Sequence, residues 1–361
     1  MFDPVLKRPR RQRILLVGSG RRVQNNYLPA LTCLRDEFEI VGIHSRTEAR
    51  LRPVADHWGV PAVLSLEDVD FSKVDVVSVS VPTAQNANVL KQLAGHEQNL
   101  HLVIDTPIVQ TQAQYQQIAP LLALFKSVTV TEDYMNFPSF DLVRKAVRDG
   151  VIGEVRGLVL NHIGFRYHGL ALIRSFVDFE PVKASRVHKL GNGPHSVVSY
   201  FFASNLRASV VGPYRKHLPG SGGLVVEGTN GGISEFEADG KLRTLGKPTL
   251  VLRPITEGGN MIGYEIAGRN ALYRQEFADV IAMREMDFPD KSDMNLLRGQ
   301  GLAEVFRSVA SHWNINQAYG YKNAFYDAFA CRLAAEGAKN LDPLNIFAGE
   351  PGNWHKEFAA R

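Results

Sequence analysis

The stretch Arg13–Leu31, RILLVGSGRRVQNNYLPAL, constrains the fold more than any other part of this 361-residue chain. An apolar strand runs into Gly18-Ser19-Gly20 and then into a helical segment. Glycines permit the tight turn and let backbone N–H groups approach a pyrophosphate, while the partial positive charge at a helix N-terminus favours an anion. Two of the three glycines of the G-x-G-x-x-G pattern are present, because Val23 holds the third position.

The residues that follow alternate between strand and helix patterns. Strands are expected near Ile14–Val17, Glu39–His44, Val74–Val81, Leu102–Asp105 and Val128–Thr131, with helical stretches near Asn26–Leu34, Glu48–His57, Asn86–Leu93 and Thr111–Leu124. Unbroken Val/Ile/Leu runs of this kind belong to a parallel sheet covered on both faces. The predicted fold class is α/β, a doubly wound parallel sheet over residues 1–136, followed by an α+β domain over 137–361.

That second part opens with a helix at Phe140–Asp149 and continues in longer strands, at Gly153–Arg166, Ala208–Pro213, Gly223–Glu227, Gly232–Glu237, Thr249–Pro254 and Met261–Ala267. Glycine-rich turns between them predict a large, mostly antiparallel sheet. Helical patterns return at Ala271–Met283, Leu296–Trp313 and Asn323–Ala338, and the tail Asn340–Arg361 reads as irregular structure docked on the body.

Composition narrows the class. The chain is 45% hydrophobic and 22% charged, with no apolar run long enough to span a bilayer and no apolar signal-peptide core, so a cytoplasmic protein without membrane partners is expected. Cys33 and Cys331 lack metal-ligand spacing and read as structural thiols. The net charge of +4 owes part of its excess to Lys7, Arg8, Arg10, Arg11 and Arg13. No nucleic-acid module follows them, so they read as a solvated tail.

With these landmarks in order, the chain resembles the glucose-fructose oxidoreductase / inositol dehydrogenase family, often called Gfo/Idh/MocA. The resemblance rests on the glycine turn leading to Leu28-Pro29-Ala30-Leu31, on Val76–Thr83 ending in Pro82-Thr83, on Asp105-Thr106-Pro107 after the next strand, and on Val151-Ile152-Gly153-Glu154-Val155 opening the second domain. It implies a Rossmann domain that binds NAD or NADP and a second sheet whose open face holds a sugar, polyol or related small molecule. It also implies hydride transfer at an alcohol or ketone carbon, and a homodimer or homotetramer.

Two departures accompany the resemblance. Relatives carry a catalytic lysine in an E-K-P motif and an Asp and His in a D-x-G-x-H-like segment. Here Thr106 stands in place of the lysine and Gly191 in place of the aspartate, while His195 is retained. A threonine hydroxyl is a neutral donor that cannot act as the acid, whereas imidazole titrates near neutral pH. The expected division of work makes His195 the proton donor or acceptor, with Thr106 orienting the substrate oxygen. The alternative is a structural His195 closing the glycine turn before a helix at Ser196–Phe202. Glu132, Asp133 and Tyr134 follow the last strand of the first domain, and a carboxylate or the Tyr134 phenol offers a substitute for the missing groups.

Cofactor choice turns on the end of the second strand, where an acid would bind ribose hydroxyls and repel a 2′-phosphate. Ser45 followed by Arg46 stands there instead, which favours NADP, with NAD as the alternative. By position, Arg21, Arg22 and Val23 complete the glycine turn, with the two arginines flanking the pyrophosphate. Pro82, Thr83 and Asn86 would lie beside the nicotinamide ribose. Asp105 would bond ribose or nearby amides, and Pro107 is a candidate for a cis peptide.

Alternation places Asn161, Ile163 and Phe165 on one face of the first second-domain strand and His162, Gly164 and Arg166 on the other, with Tyr167 and His168 just beyond. Lys183, Arg186, His188 and Lys189 read as a solvated loop or as contacts to an anionic substrate group. No cluster has convincing metal spacing. The expected function is an NAD(P)-dependent oxidoreductase acting on a carbonyl, alcohol or imine of a sugar-like or biosynthetic-intermediate substrate. The alternatives are a nucleotide-binding sensor and a non-redox enzyme that uses bound NAD(P).

Overall fold

The computed structural model describes residues 10–191, 195–214, 223–236, 243–244, 247–258, 260–272, 275, 277, 279, 293–310 and 319–341. Its first sheet contains β1 (Gln12–Val17), β2 (Phe38–His44), β3 (Ala62–Val63), β4 (Val76–Val79), β5 (His101–Asp105) and β6 (Ser127–Thr131). They lie in the order β3-β2-β1-β4-β5-β6, and all pairings are parallel. The order reverses between β1 and β4, which opens a crevice at the carboxyl ends of these strands.

Period-two alternation gives this sheet two apolar faces. Leu15, Val17, Val77, Val79, Leu102 and Ile104 enter one core cluster, whereas Ile14, Leu16, Ile43, Val76 and Val103 enter the other. Helices α1 (Leu28–Cys33), α2 (Glu48–Trp58), α3 (Asn86–Gln92) and α4 (Gln112–Leu122) fill the crossovers. Helix α4 starts with a capping box in which the Thr111 hydroxyl accepts from the Gln114 N–H, a reciprocal arrangement that satisfies two otherwise orphaned donors.

Helix α5 (Pro138–Arg148) leads to the second sheet, ordered β13-β14-β12-β11-β7-β10-β9-β8. Its strands are β7 (Val155–Asn161), β8 (Ala184–Lys189), β9 (Ser196–Phe201), β10 (Arg207–Gly212), β11 (Gly223–Gly228), β12 (Gly231–Ser234), β13 (Arg243–Thr244) and β14 (Lys247–Val251). Only β7 with β10 and β12 with β14 pair in parallel, so the sheet is mixed and mostly antiparallel. A separate meander of β15 (Arg253–Glu257), β16 (Asn260–Ile266) and β17 (Arg269–Leu272) completes the strands.

Several expectations change here. Ser196–Phe201 is a strand, not the helix expected at Ser196–Phe202, because it is held on both sides by β8 and β10. The strand expected to reach Arg166 stops at Asn161; after it Gly164, at φ +81°, turns the chain into α6 (Arg166–Arg174). The two-face alternation proposed for 161–166 therefore ends with the strand. Lys183 precedes β8, and Arg186, His188 and Lys189 lie on it and not on a loop. Ala271 and Leu272 close β17 instead of starting a helix. Residues 192–194 and the tail beyond Leu341 lie outside the described residues, as do Lys7 and Arg8.

The remaining basic residues of the N-terminal cluster are paired. Arg10 and Arg13 reach Asp75 at 2.7 and 3.2 Å, and Arg11 reaches Glu39 at 3.5 Å. No helix among the described residues is long and apolar enough to cross a membrane.

Two later helices tie the halves together. Helix α7 (Asp293–Ala310) places Leu302, Ala303 and Phe306 in the core of the first sheet, with the Phe306 ring edge-on to Tyr27 and Phe38. Helix α8 (Tyr321–Ala335) packs on α6 around a fully buried ion pair, Arg174 Nη1 to Asp327 Oδ1 at 2.7 Å. The rest of the guanidinium donates to the Glu180 carbonyl at 2.9 Å, to Asn323 Oδ1 at 2.8 Å and to the Phe179 carbonyl, and Tyr319 donates to Asp327 at 3.0 Å. Desolvating both charges is expensive, and only this saturation of donors and acceptors makes it tolerable. Arg174→Met should leave Asp327 buried without its counter-ion and cost about 3–5 kcal/mol in urea unfolding, with Arg174→Met/Asp327→Leu recovering much of the loss.

Candidate functional site

The glycine turn sits where β1 ends. Gly18, at φ +124°, faces the Ser80 carbonyl so closely that a Cβ would run into it, so the end of β1 approaches the end of β4 only with glycine there. Gly20 meets nothing within 4 Å on its bare side, and that side belongs to a crevice of about 560 Å³. Val23, at the third glycine position, is buried against the sheet. The chain accommodates it with a π-turn, Val23–Tyr27, in which the Leu28 N–H reaches the Val23 carbonyl.

Of the residues expected at the cofactor, Gly18, Gly20, Ser45, Arg46 and Pro82 line this crevice. Arg50 and Lys91 join them, and none of the lining residues is an acid. Arg46 donates to Gln85 Oε1 at 3.2 Å across the mouth.

The other expected contacts are engaged elsewhere. Arg21 is exposed beyond the crevice lining. Arg22 does not flank a pyrophosphate but turns inward, pairing with Asp133 at 2.8 Å and Asp105 at 3.5 Å and donating to Asn26 Oδ1 at 3.0 Å. Burial works against its charge, yet the two carboxylates outweigh burial and raise its pKa further. The Asp105 carboxylate accepts from Ser80 at 3.0 Å and Thr131 at 2.8 Å. Thr83 donates to the Pro107 carbonyl at 3.2 Å and the buried Asn86 to the Ile108 carbonyl at 2.8 Å, so both stitch the turn after β4 to the cis Thr106-Pro107 loop after β5.

A second cavity is lined by Asp133, Tyr134, Phe165, His168, Tyr214 and Arg298. It forms where the segment after β6 meets the start of α6 and the first turns of α7. Here Glu132, fully buried, accepts from His168 Nδ1 at 2.7 and 2.9 Å through its two oxygens. A carboxylate only accepts, so Nδ1 carries the hydrogen and Nε2 is left for another partner. Tyr134 accepts the Gly164 N–H at 2.9 Å, and burial holds its phenol well above the ordinary value. It is thereby an anchor for the turn into α6 and unsuited to give up a proton near neutral pH.

Thr106 shares a hydrogen bond with the hydroxyl of Tyr167, which burial also pushes up. His195 is exposed in the β8–β9 connection, its ring 6.4 Å from that of His162, and it is not among the residues lining the second cavity. Gly191 occupies the same connection at φ +71°. The structure thus brings Thr106, Tyr134 and Asp105 toward one region and leaves His195 outside the cavity lining. Potential ligand atoms of Glu132, Asp133 and His168 lie within 4.8 Å of one another. Arg22 already holds Asp133 and Glu132 already holds His168, so ion pairs and hydrogen bonds account for the cluster.

Sequence reasoning did not single out His168, Arg298, Arg50 or Lys91 as functional. His168 lies 36 residues from Glu132, and only tertiary packing joins them. For Arg50 and Lys91, helix register after β2 and β4 held a usable signal, since Arg50 lies in the first turn of α2 and Lys91 in the last turn of α3, each on a face that lines the crevice.

Near the cavity Glu235 accepts the Leu224 N–H at 2.6 Å, and desolvation, partly offset by this bond, pushes its carboxyl from 4.5 up to about 7. The folded chain holds that proton where the unfolded chain has lost it, so this contribution is complete below pH 4.5 and is lost as pH rises through 7. Glu235→Gln should match the parent in Tm at low pH and exceed it above neutrality; a pH-independent difference would contradict the shift.

Comparison with known proteins fits these features. Residues 12–133 match the model of the GFO_IDH_MocA oxidoreductase family, NAD-binding Rossmann fold. No curated protein matches the chain by sequence. Among solved structures, an oxidoreductase from Agrobacterium radiobacter in complex with NAD+, L-tartaric acid and magnesium superposes with TM-score 0.63 at 13% identity, over 92% of this chain and 99% of that one. The transcriptional regulator Gal80p from Kluyveromyces lactis gives 0.64 at 13% identity, over 93% and 92%. A myo-inositol dehydrogenase from Corynebacterium glutamicum gives 0.58 at 14% identity, over 91% and 97%. Residues 12–133 thus form the NAD-binding Rossmann domain of the GFO_IDH_MocA oxidoreductase family, and over the rest of the chain the likeness is one of fold.

Proposed function

We propose that the chain is an NADP-dependent oxidoreductase acting on a carbonyl, alcohol or imine of a small molecule, with His168 as its proton donor or acceptor. The observation that carries the cofactor reading is the charge of the crevice, where Arg46, Arg50 and Lys91 stand without a carboxylate. A 2′-phosphate gains charge-assisted hydrogen bonds from such a lip, whereas ribose hydroxyls gain no acid to accept from them. The open side of Gly20 is the space a pyrophosphate would take.

When bound, the cofactor supplies or accepts the hydride. The chain's own part is to hold the substrate and move the proton. Glu132 fixes the orientation of His168 through Nδ1 and leaves Nε2 to give or take the proton. Thr106, bridged to Tyr167, can orient a substrate oxygen but cannot protonate it. His195, which the sequence suggested for the proton, lacks such a backing group among its described contacts.

NADPH should bind at least about tenfold more tightly than NADH in fluorescence titrations, and Arg46→Ala/Arg50→Ala should erase most of that ratio. Tighter binding of NADH would overturn the cofactor reading. In a screen of sugars, polyols, hydroxy acids and cyclic imines, His168→Ala should lower kcat by about 10²–10⁴ with NADPH affinity unchanged, while His195→Ala stays within a few-fold. The reverse pattern would return the role to His195.

The likeness to a transcriptional regulator supports a second reading, a nucleotide-binding sensor. Saturable NADPH binding with no turnover across that screen would favour it.

A further inference from the structure

We propose that the substrate of the second cavity carries a carboxylate and that Arg298 is the residue that recognises it. This inference rests on the oxidoreductase reading and adds a substrate class to it.

Arg298 lies on α7, one turn before Gly301. A Cβ at Gly301 would run into the Asp133 carbonyl, so α7 is seated directly against the segment that carries Asp133 and Tyr134. Residues three apart share a helix face, and Arg298 therefore points along the same side, into the cavity it lines.

The charges around it are already matched. Asp133 is held by Arg22 at 2.8 Å, and Glu132 by His168 at 2.7 Å. Arg298 itself, half-buried, has no ion pair or hydrogen bond among the described residues. A cation of this kind loses water when a ligand closes over it and regains the loss only if the ligand brings an anion. The Phe165 and Tyr214 rings, 5.1 Å apart, form an aromatic wall beside it, which lowers the local dielectric and strengthens a matched pair.

The anion is best a monoanion of planar shape. A guanidinium presents parallel N–H donors that fit the two oxygens of a carboxylate. A phosphate dianion would bring a second negative charge close to Asp133 and Glu132, which a single free arginine does not balance. A hydroxy- or oxo-acid would place its carboxylate on Arg298 and turn its carbon–oxygen group toward His168 Nε2.

The test uses the full-length protein saturated with NADPH and follows the bound nicotinamide fluorescence on titration with the monoanions glycolate and oxamate, with neutral oxamide as control. The proposal expects saturable binding of both acids but not of oxamide. Arg298→Met should weaken acid binding by about 10- to 100-fold with NADPH affinity unchanged, and Arg298→Lys should weaken it less, keeping the charge but losing the fork. Unchanged NADPH affinity also reports that each variant is folded. Equal binding of oxamide, or acid binding unaffected in Arg298→Met, overturns the proposal and leaves the cofactor reading intact. If wild-type protein binds no NADPH, it is the cofactor reading that fails.

Discussion

Much of this molecule depends on how closely α7 lies against the end of the first sheet. Gly301 is the point of contact, with its bare Cα against the Asp133 carbonyl. Because the backbones touch there, the helix can place Phe306 between Tyr27 and Phe38 and still bring its N-terminal turns to the second cavity. A segment that follows the second sheet in sequence thereby becomes part of the core of the first. The seat is specified by shape, since backbone-to-backbone approach tolerates no added methyl without movement.

The same region shows how charge is distributed around the ends of β5 and β6. Thr106 leaves the loop after β5 without a cation, and Arg22 supplies one from the turn after β1. Its guanidinium joins the carboxylates at the ends of β5 and β6, while Tyr27, Thr131 and Ser80 complete the hydrogen bonding around Asp105. An arginine stays protonated throughout the working range, so this cation can stabilise negative charge but does not release a proton. Proton transfer and fixed positive charge, which one lysine can combine, fall to different side chains in the proposed mechanism, the first to His168 and the second to Arg22.

The first sheet was legible because its determinants are local. Buried parallel strands appear as apolar runs, and the glycine turn marks the one edge where backbone must stay bare. Ser196–Phe201 was misread because a six-residue run of Ser, Val and aromatic residues fits either a buried helix turn or a strand, and only pairing with β8 and β10 decides. Ser45 and Arg46 could be placed from the end of β2, whereas the Glu132–His168 bond joins a loop to a helix and leaves no periodic trace. Arg22 shows the limit most clearly: position predicted a residue beside the crevice, but side-chain direction was set by two distant carboxylates.

The bond between Arg46 and Gln85 spans the mouth of the crevice and is exposed to water. A solvent-exposed hydrogen bond of this kind contributes only about 1 kcal/mol, so thermal motion breaks and remakes it freely. It joins two side chains, Gln85 on the turn after β4 and Arg46 two residues beyond β2. An anion at this mouth would compete with the Gln85 amide oxygen for the Arg46 guanidinium. Exposed side chains exchange rotamers on the picosecond-to-nanosecond scale, so this bond breaks and re-forms far faster than any domain hinge moves.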